Sequence, residues 1–357
     1  MSVRFRLFIA FALLCAAGES HAAPRPDPVP ARASGLAPTF ARQTPFVIRH
    51  FEPFIGGRWI GNAIAYGPYR DGQRPGGPSP TRAELRQDLL LMSKHWSLLR
   101  LYGSVGPPDS ILAIIREDRL EMKAMLGIWL APEARQDRAG NIVERFPEAG
   151  AANRLEIEAA IRLAAAYPEI VIAVGVGNET QVSWSSHRVR TPVLVNCVRE
   201  VRARTGLPVT TADDLHYWNR PESRTVAREV DFIVTHIHPL WNGRTLEDAM
   251  GWTRRSFAEV RACHPGRAVV IGETGWATRK LDQGEQGRLI QGRPGEEEQA
   301  VFCDALTAWA RSDSVATFLF EAFDENWKGG PDPGDVEKHW GIFRADRTPK
   351  KALDRLE

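Results

Sequence analysis

IVIAVGVGNE, at positions 170–179, is an almost unbroken apolar run that stops on an amide and a carboxylate, and AVVIGETGW, at 268–276, repeats the pattern around Glu273. Short runs of this kind, rich in β-branched residues, suit strands buried on both faces, as in a parallel sheet. Six more lie outward of these two, at 62–66, 96–102, 122–130, 209–212, 232–238 and 316–323. Between them fall stretches with helical periodicity at 81–94, 109–117, 153–166, 192–204, 246–262 and 296–312. Strand and helix in alternation give an α/β chain, and eight strands in one domain give a (β/α)₈ TIM barrel, which takes about 250 residues. An open doubly wound sheet is the rival, but no glycine-rich phosphate turn follows the first strand as a nucleotide-binding version requires.

The chain opens with Arg4 and Arg6, an apolar run from Leu7 to Ala17 and a small-residue stretch ending at Ala23. That is the form of a secretory signal peptide over residues 1–22, too short in its apolar part to span a bilayer. Residues 23–45 are dense in Pro, Arg and Ala and read as a linker, leaving 46–357 as the catalytic barrel. A secreted or periplasmic product with no membrane span is expected. Lys and Arg total 46 against 44 for Asp and Glu, so no strong field argues for nucleic acid, and a neutral substrate fits better. Past Cys15 the cysteines are Cys197, Cys263 and Cys303, without metal-ligand spacing. Cys263 and Cys303 either pair as one disulfide or stand with Cys197 as thiols on helices. A monomer is expected.

Polar residues gather at the C-terminal ends of the strands: Arg100, Asn178, Glu179, Asp213, Asp214, His236, His238, Glu273, Glu321 and Asp324. In this fold that rim carries the chemistry. Two carboxyl groups flanking one acetal cleave a glycosidic bond, and a separation of about 5 to 5.5 Å lets one attack while the other donates a proton. Glu179 is expected to protonate the leaving oxygen and later to activate water, with Glu273 as the ionised nucleophile oriented by Arg100. Asn178 is placed to bind the hydroxyl beside the reacting carbon. His236 and His238, near the end of strand six, are expected on opposite sides of it, His236 beside the catalytic pair. With no third histidine at ligand spacing, neither a metal nor a cofactor is expected.

Sugar rings present C–H faces that stack on aromatic rings. Tyr66, Tyr69, Tyr102, Trp184, Tyr217, Trp218, Trp241, Trp276 and Trp327 fall at or just past strand ends. Trp241, Trp276 and Trp327, next to rim carboxylates or histidines, are read as substrate contacts, whereas Trp96, Trp129, Trp252 and Trp309 read as core or helix packing.

The segments VGVGNE and VVIGETGW, FEAFDENWKGG followed by HWGIFRADRTPKKAL, and AYGPYRDGQRPGG, LLRLYG, LGIWL and THIHPLW resemble family 17 of the glycoside hydrolases. The resemblance runs from position 62 to 353 and is closest to the bacterial branch. It implies a barrel acting on β-1,3-glucan, with Glu179 matching the proton donor, Glu273 the nucleophile, and Glu325 with Lys328 the family's ENxK element after strand eight. Members include enzymes that pass glucan segments to sugar acceptors, so a glucanosyltransferase is the alternative to a hydrolase. One departure is Leu240 beside Trp241, where many members carry an aromatic residue. A barrel that binds glucan without turning it over, and a different glycosidase specificity on the same carboxylate pair, are the remaining readings.

Overall fold

The computed structural model describes residues 39–137 and 141–356. The signal-peptide reading and most of the linker reading lie outside the described residues. Eight parallel strands close into a barrel in chain order: β1 (Asn62–Ala65), β2 (Leu98–Arg100), β3 (Lys123–Ile128), β4 (Val171–Asn178), β5 (Val209–Asp214), β6 (Phe232–His236), β7 (Ala268–Thr274) and β8 (Thr317–Leu319). The chief outer helices are α1 (Arg82–Met92), α2 (Pro107–Glu117), α3 (Pro147–Ala166), α4 (Thr191–Arg204), α5 (Leu246–Cys263) and α6 (Glu296–Ser312). All eight strands and six helices expected from the sequence are present. Among the described residues no helix is long and apolar enough to cross a membrane.

Successive strand residues face opposite ways, which produces two apolar layers. Ala63, Leu98, Met125, Ala173, Ala212, Val234, Val270 and Phe318 fill the barrel interior. Their neighbours Ile64, Leu99, Leu126, Val174, Ile233 and Ile271 pack outward against the helices. The alanines leave room for Met125, Phe232 and Phe318, so the interior is filled and no pore runs through it.

The N-terminal ends of the strands form the floor. The hairpin of Phe54–Ile55 and Arg58–Trp59 lies there, and Phe51 stacks on Phe232 with ring centroids 4.8 Å apart. Ahead of it, a strap lies along α4. Phe40 N–H donates to Asn196, Arg49 N–H donates to Asp231 at 2.8 Å, and the Arg202 guanidinium covers the Phe46 ring at 4.0 Å.

The differences from the sequence reading have local causes. β8 is shorter than expected because past Leu319 its backbone turns to a long excursion: Glu321 N–H donates to Trp340 O, and Phe343 N–H to Ala322 O. Helix α3 begins at Pro147, a residue suited to a first helical turn. The hairpin of Ala134–Gln136 and Ile142–Arg145, and the short helix Leu215–Trp218 capped by Asp214, carry no long periodic signal. Cys197, Cys263 and Cys303 are free thiols on helices, so the disulfide alternative falls.

Candidate active site

At the C-terminal mouth lies a cavity of about 330 Å³, and both strand-ending glutamates line it. β4 delivers Glu179 with a left-handed backbone, φ 47°, its N–H donating to Ala212 O at 2.8 Å. Such a conformation costs roughly 1 to 3 kcal/mol for a residue with a Cβ and recurs where a side chain must be aimed. β7 delivers Glu273. One oxygen of Glu179, one oxygen of Glu273 and one ring nitrogen of His236 lie within 4.8 Å of one another. That is well inside the roughly 6.5 to 9.5 Å of inverting pairs and fits the closer spacing of retaining pairs.

Glu273 is ringed by donors. Arg100 Nη1 reaches its Oε1 at 2.5 Å while Nη2 of the same guanidinium holds Asn178 Oδ1, also at 2.5 Å. The Tyr102 hydroxyl donates to Oε1 at 3.0 Å, and His238 Nε2 is 3.3 Å from Oε2. Burial opposes ionisation of Glu273, but His236, Arg100 and His238 outweigh it and hold the carboxyl well below the usual carboxylate range. Burial also opposes the imidazolium of His238, yet its bond to Glu273 wins and raises its pKa. The Tyr102 phenol is pushed far up by burial and then by Glu273, so it stays a donor.

His236 bridges the two acids, Nδ1 at 2.9 Å from Glu179 and Nε2 at 3.6 Å from Glu273. The expectation that His236 and His238 point to opposite sides fails: side chains two positions apart on a strand share a face, and both imidazoles reach Glu273. Glu179, His236 and Glu273 together are the nitrogen and oxygen set that a cation could share.

The cavity is lined by Tyr66, Tyr69, Tyr102, Asn178, Glu179, His238, Trp241, Glu273, Glu325, Trp327 and Lys328 among the residues singled out from the sequence. Arg100, His236 and Glu321 are buried directly behind it: the first two touch the glutamates, and Glu321 takes Lys328 Nζ at 2.5 Å. Lys328 also reaches Glu325 at 2.8 Å. Gly67 makes room for that carboxylate, since a Cβ there would meet Glu325 Oε2 at 2.2 Å.

Four residues are elsewhere and correct the sequence reading. Trp276 is 0% exposed, packs on Phe302 and donates its indole N–H to Arg293 O, so it is core. Asp213 points under the β4 loop, accepting from Gln181 N and Asp214 N, its carboxyl raised well above the usual range by burial and then by Glu179. Asp324 binds Lys350 and Gly341 N and staples the β8 excursion. Trp184 meets His216 edge-on, away from the cavity.

Trp129, read as packing, lines the cavity against His187, ring centroids 4.7 Å apart. Glu156, Phe320, Glu337 and Trp340 line it as well and were not singled out. Trp340 lies within the quoted HWGIF segment, whereas Glu156 sits mid-helix and looks like a solvated face. Its carboxylate in fact turns inward to accept from Ser104 N, Val105 N and Trp129 N.

Comparison with known proteins adds the following. A family model described as the BtgE/BtgC glycoside hydrolase domain matches residues 63–341. A glucan 1,3-beta-glucosidase of Arthroderma benhamiae is 26% identical over 302 residues, covering 79% of this chain and 88% of that protein. The crystal structure of an endo-laminarinase from Formosa Hel1_33_131 superposes with a TM-score of 0.69 at 26% identity, over 82% of this chain and 86% of that one. A Rhizomucor miehei beta-1,3-glucanosyltransferase mutant bound to laminaritriose shares the fold, with a TM-score of 0.64 at 22% identity over 82% of this chain and 96% of that one.

Proposed function

The chain belongs to the BtgE/BtgC glycoside hydrolase domain family, and from that premise we propose that it is a retaining glycosidase of β-1,3-glucan with Glu179 as acid/base and Glu273 as nucleophile. The observation that carries this reading is the pair of rim carboxylates with oxygens within 4.8 Å, one of them kept ionised by a buried guanidinium and two imidazoles. In the first step the Glu273 carboxylate forms a bond to the anomeric carbon while the glycosidic C–O bond breaks and its oxygen takes the Glu179 proton. In the second, the Glu179 carboxylate takes a proton from water, whose oxygen attacks the same carbon and releases Glu273. Two inversions leave the β configuration retained.

Asn178, fixed by Arg100, presents its amide to the hydroxyl next to the reacting carbon. Tyr69, Trp129 and Trp327 offer faces for neighbouring glucosyl rings. The quoted motifs support membership of glycoside hydrolase family 17, closest to its bacterial branch. The basic and apolar N-terminal stretch supports export from the cytoplasm.

A second reading is transfer of the glycosyl group to a sugar hydroxyl instead of water. It is favoured by aromatic lining on both sides of the line joining β4 and β7, with Trp241 on one and Trp327 on the other. The test is mass analysis of products from β-1,3-, β-1,4- and β-1,6-linked gluco-oligosaccharides, with Glu273→Gln alongside. Cleavage of the β-1,3 series that disappears in the variant is expected, and products longer than the substrate mark transfer. Wild-type turnover by Glu273→Gln overturns the assignment.

A further inference from the structure

The line from Glu179 on β4 to Glu273 on β7 divides the mouth into unequal halves. The loops after β8, β1, β2 and β3 build an enclosed side with Tyr69, Tyr102, Trp129, Trp327 and Trp340 in its lining. From β5 and β6 the lining takes a single Trp, Tyr or Phe ring, that of Trp241. A glycosyl group held through both chemical steps needs the enclosed side. The sugar that leaves after the first step, and anything that takes its place, needs a side open to exchange.

Trp241 is half-buried and stands after β6, yet its indole N–H donates at 3.1 Å to Oε1 of Glu337, which is carried by the excursion after β8. The hydrogen bond thus spans β7, the strand of Glu273. Glu337 is itself firmly set. Its N–H donates to Asp335 Oδ1 at 3.0 Å in the turn Val336–Lys338, and Lys338 Nζ donates to Asn326 O at 2.8 Å and to Lys328 O. Burial pushes the Glu337 carboxyl up to about 7, against the pull of Lys328 and His238, with Asp335 adding to the rise and the Trp241 hydrogen bond opposing it. Either protonation state keeps an oxygen able to accept from the indole. A buried carboxylate joined to an aromatic ring on another strand's loop does more than fill space, because replacing both partners by apolar groups would pack as well with no desolvation cost.

We propose that Glu337 is a positioning residue that clamps the Trp241 indole as the platform for the leaving sugar and for whatever sugar replaces it. The inference rests on the retaining reading above. By microscopic reversibility leaving group and acceptor share this place: an incoming hydroxyl gives its proton to the Glu179 carboxylate, its oxygen bonds to the anomeric carbon, and the ester to Glu273 breaks. The clamp therefore sets how well a sugar, as opposed to any other leaving group, is handled on the open half.

The experiment compares two donors with the same glycone, a β-1,3-gluco-oligosaccharide and an aryl β-glycoside whose aglycone needs no sugar platform. The ratio of their kcat/KM values is measured for wild type, Glu337→Ala and Glu337→Gln. We expect the ratio to fall about tenfold in Glu337→Ala and to recover in Glu337→Gln, which keeps the acceptor oxygen. An unchanged ratio in folded Glu337→Ala, or no recovery with Gln, overturns the proposal. Should Glu337→Ala not fold, Trp241→Phe keeps a ring and removes only the N–H, and the same fall is expected there; an unchanged ratio overturns the proposal equally. Failure of the parent reading looks different: wild type turns over neither donor, which overturns both, whereas failure of the clamp leaves wild-type turnover intact.

Discussion

Replacing Arg100 by Met tests the electrostatics of the site at one atom group. Arg100 is 4% exposed, and its guanidinium makes charge-assisted contacts of 2.5 Å to Glu273 and 2.5 Å to Asn178. Hydrogen bonds involving a charged group contribute about 1.5 to 3 kcal/mol, and removing one partner of a buried pair costs about 3 to 5 kcal/mol. Tyr102 at 3.0 Å and His238 at 3.3 Å remain on Glu273, so the low end, about 3 kcal/mol, is the appropriate figure. At 1.36 kcal/mol per factor of ten, that is on the order of 100-fold in rate. The Glu273 carboxyl is depressed in the folded protein, so its contribution to stability is complete above the ordinary carboxylate pKa and is lost as pH falls towards the depressed value. Without Arg100 the folded pKa rises, and the acid-side loss of kcat/KM moves to higher pH. The assay is a pH profile of kcat/KM on a β-1,3-gluco-oligosaccharide, with the thermal midpoint taken as a check of folding. A folded Arg100→Met variant within about threefold of wild type and with an unmoved acid limb would refute the reasoning, since that change is only about 0.6 kcal/mol.

Tyr102→Phe removes one donor to Glu273 without changing ring volume, and kcat/KM is expected to fall about 10- to 100-fold, read by initial rates on the same substrate. Two of the three tryptophans read alike in the sequence are expected to separate in opposite directions. Trp276→Ala empties a core position and lowers stability by about 3 to 5 kcal/mol in a denaturant titration, while Trp327→Ala raises KM with little change in the thermal midpoint.

What the sequence revealed and what it hid follow from the range of the interactions. The barrel was legible because each strand carries its own apolar run and each helix its own period, and both are local. That Glu179 and Glu273 meet at the mouth was legible because a carboxylate ending a purely apolar strand has few structural uses. Trp276 misled because a position next to a rim glutamate says nothing about rotation: past Thr274 the ring turns back onto Phe302. The His236 and His238 error lay in the period itself, since side chains two apart on a strand share a face and both rings reach Glu273. Glu156 and Glu337 were hidden because their partners lie far along the chain, at Ser104 and Trp241. Only closure of the fold makes their burial visible.

The strap across Phe46 and Arg49 joins the body where the strands begin, whereas the glutamates stand where they end. Loosening that strap should be felt first as lost heat tolerance, while the chemistry at the far end of the barrel keeps its character.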